Sequence, residues 1–205
     1  MLGNDVVDLA ATGEQRHERF DARVFADSER AAIAATTEPE RLRWMFWAAK
    51  ESAFKALRRL DRSVTFSPVR FVVTRVLETR APGMWMRVAH GERGLRVRIE
   101  AGTSFLHAIA WCDAAAVATT LSAVARADEI APGATLREAV RKLAREGVAR
   151  GLRLAASELE VAREGRIPRL AWRGATLPAA LSLSHDGRFV AFACQIAQTA
   201  TGSFS

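Results

Sequence analysis

The stretch that decides the fold is WAAKESAFKAL, residues 47–57. It sits inside a longer helical pattern and holds one glutamate flanked by two lysines. Lysine is rare in this chain: of 30 basic residues only those at 50, 55 and 142 are Lys, and the other 27 are Arg. The apolar positions Leu42, Met45, Phe46, Ala49, Ala53 and Ala56 recur at three and four residues, which predicts a helix over 38–60 with one buried stripe. Thr37 is placed to cap it, Pro39 suits its first turn, and Glu38 and Glu40 favour the positive end of its dipole. Residues four apart share a helical face. Trp47, Glu51 and Lys55 therefore form a row, with Lys50 beside it, expected at the edge of the fold rather than in its core. Read alone, such a row is an ordinary Glu–Lys surface pair. The concentration of lysine argues for more.

Outward from this helix the chain divides in two. GNDVVDL (3–9) reads as a first strand, and 14–35 as helical with a break at 25–28, where Asp27 or Ser28 can cap the next segment. VRFVVTRV (69–76), MWMRVA (84–89), LRVRIE (95–100) and FLHAIAWC (105–112) read as an antiparallel meander. After APG at 131–133 a capped helix is predicted from Thr135 to Gly151, followed by strands near 158–162 and 169–173. A final hairpin forms around Asp186-Gly187, a strong turn signal. The expected class is α+β, with a first lobe over 1–125 and a second over 126–205, each an antiparallel sheet packed on a long helix.

With 49 % apolar and 26 % charged residues the composition is that of a globular protein, and no apolar run reaches the roughly 20 residues a membrane helix needs. The start, MLGNDVVDL, lacks the basic residues of a signal peptide, and Cys112 and Cys194 lack metal-site spacing, so a cytoplasmic location and buried apolar cysteines are expected. The net charge of +7 predicts an acidic partner. A nucleic acid, a phosphorylated small molecule and an acidic protein all satisfy it. No basic patch interleaved with stacking aromatics is visible, which disfavours nucleic acid.

Asp5 and Glu51 would make a hard-oxygen pair for Mg²⁺ if the first strand packs beside the long helix. Ser184-His185-Asp186 is no hydrolase triad, because neighbours on a strand cannot relay protons and no G-x-S-x-G elbow is present. A hydroxyl and an imidazole at a strand end suit phosphate binding.

Gly3-Asn4-Asp5, then Trp47-Ala48-Ala49-Lys50-Glu51-Ser52-Ala53-Phe54-Lys55, then Ser182-Leu183-Ser184-His185 resemble, in that order, the G-x-D strand, W-x-x-K-E-x-x-x-K helix and S-x-S-H segment of the 4′-phosphopantetheinyl transferases. Gly165-Arg166-Ile167-Pro168 looks like a loosened G-K-P element of the same family. The resemblance implies the longer, two-lobed form, a pseudo-dimer within one chain and a monomer, with the metal lobe first and the site in the cleft between lobes. It implies transfer of phosphopantetheine from coenzyme A to a serine of an apo carrier protein, with Mg²⁺ held by Asp5 and Glu51. Glu51 and Lys55 would be catalytic, Glu51 as proton acceptor and Lys55 at the bridging oxygen. Lys50, Lys55, Ser184 and His185 would bind the coenzyme A phosphates. Arg16, Arg19 and Arg23 would meet an acidic carrier protein. Many longer members place a third carboxylate where Val7 stands, and Asp8 follows instead. The rival is a degenerate member that binds coenzyme A or a carrier without transfer, against which the intact Asp5, Glu51 and Lys55 count.

Overall fold

In a computed structural model, the described residues are 1–12, 19–79, 83–113, 117, 119–165 and 167–196. The long predicted helix is present as α3 (Pro39–Leu60). Its stripe is buried as the spacing requires: Met45, Phe46, Ala49, Ala53 and Ala56 are all within the core of the first lobe. Against it lies a sheet of β1 (Leu2–Asp8), β2 (Val72–Thr79), β3 (Met84–His90), β4 (Arg93–Ala101) and β5 (Phe105–Trp111). The strand order is β1-β5-β4-β3-β2, antiparallel throughout. Two short helices, α1 (Phe20–Val24) and α2 (Asp27–Ala35), fill the connection from β1 to α3.

Side chains on β1 alternate faces. Leu2, Asn4, Val6 and Asp8 point at the second lobe, while Gly3 and Asp5 point at α3. Gly3 is required there, because a Cβ at this position would collide with the Ser52 carbonyl oxygen and the Ala56 nitrogen. Only a glycine lets the helix ride directly on the strand.

The second lobe repeats the plan. It contains β6 (Thr120–Arg126), α4 (Ala127–Ile130), α5 (Leu136–Leu152), β7 (Leu159–Glu164), β8 (Ile167–Trp172), β9 (Ala175–Thr176), β10 (Ala179–Asp186) and β11 (Phe189–Ile196). In each lobe the first strand pairs with the last, β1 with β5 and β6 with β11. A long helix packs on each pairing. The second lobe divides its strands between two small sheets, β10-β11-β6 and β7-β8-β9. The α+β class and the two-lobed plan agree with the sequence reading.

Strand β6 is not among the strands read from the sequence, and its pairing with β11 puts residues 120–126 in the second sheet. Two capping expectations are corrected. Thr37 does not cap α3: the N-cap is Glu38, whose N–H donates to Thr36 Oγ1 at 3.3 Å. Neither Asp27 nor Ser28 caps α2. Its N-cap is Ala26, whose N–H donates to the Glu29 carboxylate at 2.7 Å.

The lobes meet along β1, β10 and β11. Leu2, Ile109, Trp111 and Ala193 form one apolar cluster across the seam, and Val6, Phe189 and Ala191 another. Each large side chain buried there contributes about 1.5–3 kcal/mol. Polar contacts set the register. Asn4 N–H donates to Ser182 Oγ at 2.9 Å, and Asp8 N–H donates to Asp186 Oδ2 at 2.8 Å.

Candidate active site

The alternation of β1 and the face of α3 converge on one point. Asp5 faces the helix, and Lys55 Nζ meets its Oδ1 at 2.7 Å. Glu51, one turn earlier on the same face, has Oε2 4.0 Å from the same ammonium. Two carboxylates from different elements thus share a single cation. Burial pushes the Glu51 carboxyl up to about 7, opposed by Lys55 and reinforced by the charge of Asp5. Burial raises Asp5 as well, against the pull of Lys55. Lys55 alone does not neutralise this pair.

These residues open into a cleft of about 390 Å³ lined also by Phe20, Trp44, Trp47, His185 and Asp186. The predicted row Trp47–Glu51–Lys55 therefore lies along one wall, and β10 of the second lobe brings His185 to the other. A contiguous groove of about 400 Å³ begins at Lys55 and is lined by Arg58, Arg59, Arg62, Gly165, Pro168 and Leu183. Arg59 donates to the Leu181 carbonyl and is pushed down to about 10 by burial and by Arg169. The sequence reading missed these three arginines. Their signal was present in the spacing of 55, 58, 59 and 62, but it was hidden by the abundance of arginine.

Several predicted site residues lie elsewhere. Lys50 is fully buried on the opposite side of α3, where Nζ donates to Glu29 Oε2 at 2.7 Å and to the Pro68 carbonyl at 3.0 Å. Glu29 also accepts from Val73 N–H at 2.7 Å, so this pair ties α2, α3 and β2 together. Lys50 lines neither cleft. Ser184 lines neither cleft either. It faces the lobe seam, where its hydroxyl accepts from Asn4 Nδ2 at 3.0 Å. Asp8 stands apart from the acids, accepting from Arg188 at 2.6 and 2.7 Å across the seam. Hydrogen bonds from Arg188 hold its carboxyl down at about 2. Arg19 and Arg23 are exposed and flank Phe20 in the sequence, and Phe20 lines the cleft. Arg16 and Arg166 lie outside the described residues. Cys194 is buried and Cys112 partly so.

The sequence model of the 4′-phosphopantetheinyl transferase superfamily matches residues 1–120, the segment that supplies Asp5, Glu51 and Lys55. The chain belongs to this superfamily. It is also 36 % identical over 72 residues to the holo-acyl-carrier-protein synthase of Shewanella frigidimarina (strain NCIMB 400). That match covers 33 % of this chain and 57 % of the synthase, so the chain spans little more than half the relative's length. Within the superfamily reading, the acids and Lys55 belong to the matched segment, whereas His185 and the wall of the arginine groove contributed by Gly165 and Pro168 come from beyond it. Among the described residues no helix is long and apolar enough to cross a membrane.

Proposed function

We propose that this protein transfers the 4′-phosphopantetheine group of coenzyme A to a serine of an apo carrier protein and releases 3′,5′-ADP. The observation that carries the reading is the convergence of Asp5, Glu51 and Lys55 at the junction of the two clefts, opposite His185. Superfamily membership and the named relative support it.

The residues fit a Mg²⁺ ion. The cluster comprises two carboxylates, and among the described residues no group of three or more His, Cys, Asp or Glu side chains is placed to hold a metal ion. Two hard oxygens suffice for Mg²⁺ when water and substrate phosphate complete its shell. Burial pushes both acids up, and a bound cation would favour their charged forms. Asp5 and Glu51 would hold the ion, which would neutralise charge on the diphosphate and on the leaving phosphate.

The chain's own groups divide the remaining work. Lys55, with Arg58, Arg59 and Arg62 beyond it, offers a basic track for the nucleotide end of coenzyme A. His185 meets the diphosphate from the second lobe. Glu51, or a water held by it, accepts the proton of the acceptor serine as its oxygen bonds to phosphorus. The phosphorus–oxygen bond to the ADP moiety breaks, and Lys55 steadies or protonates the departing oxygen, a role an ammonium fills and a guanidinium does not. The exposed Arg19 and Arg23, either side of the cleft residue Phe20 in the chain, offer positive charge to an acidic carrier protein.

Incubation with coenzyme A, Mg²⁺ and an apo carrier protein, followed by mass spectrometry, tests this. The expected result is one phosphopantetheine on the carrier serine, lost in Asp5→Ala and Glu51→Ala. Tight binding of coenzyme A with no transfer to several carriers would replace the transferase reading with a binding-only one.

A further inference from the structure

The lobe seam holds a group of polar side chains that the chemistry above does not use. Asn4 on β1 is fully buried. Its Nδ2 donates to Ser184 Oγ at 3.0 Å and lies 3.2 Å from Nε2 of His107, itself buried on β5. Two atoms of this group, Asn4 Oδ1 and His107 Nδ1, are buried without a hydrogen-bond partner. Burial holds the His107 imidazole down at about 3, so it stays neutral.

Buried polar atoms left unpaired cost stability, and apolar side chains of similar shape would join the lobes at lower cost. The seam already has that apolar material in the clusters around Leu2 and Val6. A hydrogen bond adds direction, because it fixes one strand against another where apolar contacts tolerate sliding. The sequence positions show what is being fixed. Asn4 immediately precedes Asp5, and Ser184 immediately precedes His185. One 3.0 Å bond therefore lies one residue from the acid of the first lobe and one residue from the imidazole of the second.

We infer that Asn4 is a positioning residue: through Ser184 it sets the spacing of Asp5 and His185 across the cleft. A coenzyme A diphosphate held by the second lobe then meets the acids of the first. This inference rests on the coenzyme A reading of the site. Asn4 touches no substrate and acts through the strand it anchors.

The test uses the full chain. Asn4→Leu combined with Ser184→Ala removes both partners together with little change of shape. Coenzyme A binding is read by calorimetry, folding by thermal melting, and transfer by steady-state kinetics with coenzyme A and carrier varied separately. Coenzyme A affinity is expected to fall about ten-fold, as small misplacements of reacting groups do. The KM for coenzyme A should rise in step, with the KM for the carrier unchanged and cooperative melting retained. A seam that only supports folding would lower the active fraction and leave both KM values alone, and that outcome overturns the inference. The swap Asn4→Ser with Ser184→Asn returns a donor and an acceptor in exchanged places and should recover coenzyme A affinity. A folded swap as weak as the apolar pair also overturns it. Wild type that fails to bind coenzyme A would instead sink the reading of the site itself, a result distinct from either variant outcome.

Discussion

Two lysines on one helix, Lys50 and Lys55, meet opposite fates. Lys50 faces inward and donates to Glu29 and the Pro68 carbonyl, with the Phe25 ring 5.5 Å from its Nζ. Burial lowers its pKa and Glu29 counters that shift, and the pair is closed off in the core. Lys55 is partly exposed and shares Asp5 with a second acid that it reaches only at 4.0 Å. The first pair is fully engaged, whereas the second leaves carboxylate charge in excess beside an open cleft. Saturation of partners, more than burial, separates a structural ion pair from one that can exchange its cation.

That contrast can be broken first at the acids. Asp5→Asn or Glu51→Gln should lower transfer by about a thousand-fold, equivalent to about 4 kcal/mol of lost transition-state stabilisation. Melting temperatures should hold or rise, because each change removes a charge that burial disfavours. Retained activity in either variant would show that the pair does not serve the reaction. At the closed pair the sign reverses. Lys50→Met leaves Glu29 buried without its cation and should cost about 3–5 kcal/mol, seen as a large drop in melting temperature. Adding Glu29→Gln should recover part of that loss, and any folded fraction should keep its KM for coenzyme A.

Lys55→Arg sharpens the comparison, since it keeps charge and removes the capacity to give up a proton. Transfer should fall about ten- to a hundred-fold with coenzyme A binding little changed. Full activity would reduce Lys55 to a point charge. The smallest effect is expected at the seam. Asp8, held down at about 2 by Arg188, contributes stability above its unfolded pKa of 3.8 that is lost as pH falls through about 2. Arg188→Ala should therefore lower stability modestly near neutrality, screened because the arginine is partly exposed. In acid denaturation the difference from wild type should shrink below the unfolded value of 3.8 and close as pH falls through about 2.

Legibility in the sequence varied with the range of the interaction. Helix α3, the β2–β5 meander, α5 and the hairpin at Gly187 rest on local periodicity and turn chemistry, and their residues announced them. Strand β6 rests on pairing with β11, more than sixty residues along the chain, and TLSAVAR carries only a weak alternation of its own. In the site, Glu51 and Lys55 were legible as one helical row. Asp5 was legible as a hard-oxygen partner of Glu51 on the condition that β1 packs beside α3, and the order of the motifs supported it. The role of Arg58, Arg59 and Arg62 was masked by the 27 arginines of the chain.

By itself the sequence determined the elements other than β6, the two-lobed α+β plan and the face of α3 that carries Glu51 and Lys55, because those follow from spacing along a single chain segment. The tertiary structure alone decided that Lys50 would meet Glu29, that Asp8 would clamp Arg188, and that Ser184 would turn to Asn4. Periodicity fixes which way a side chain points from its own helix or strand. What waits for it there, and whether its charge is satisfied, depends on elements brought across from distant parts of the chain.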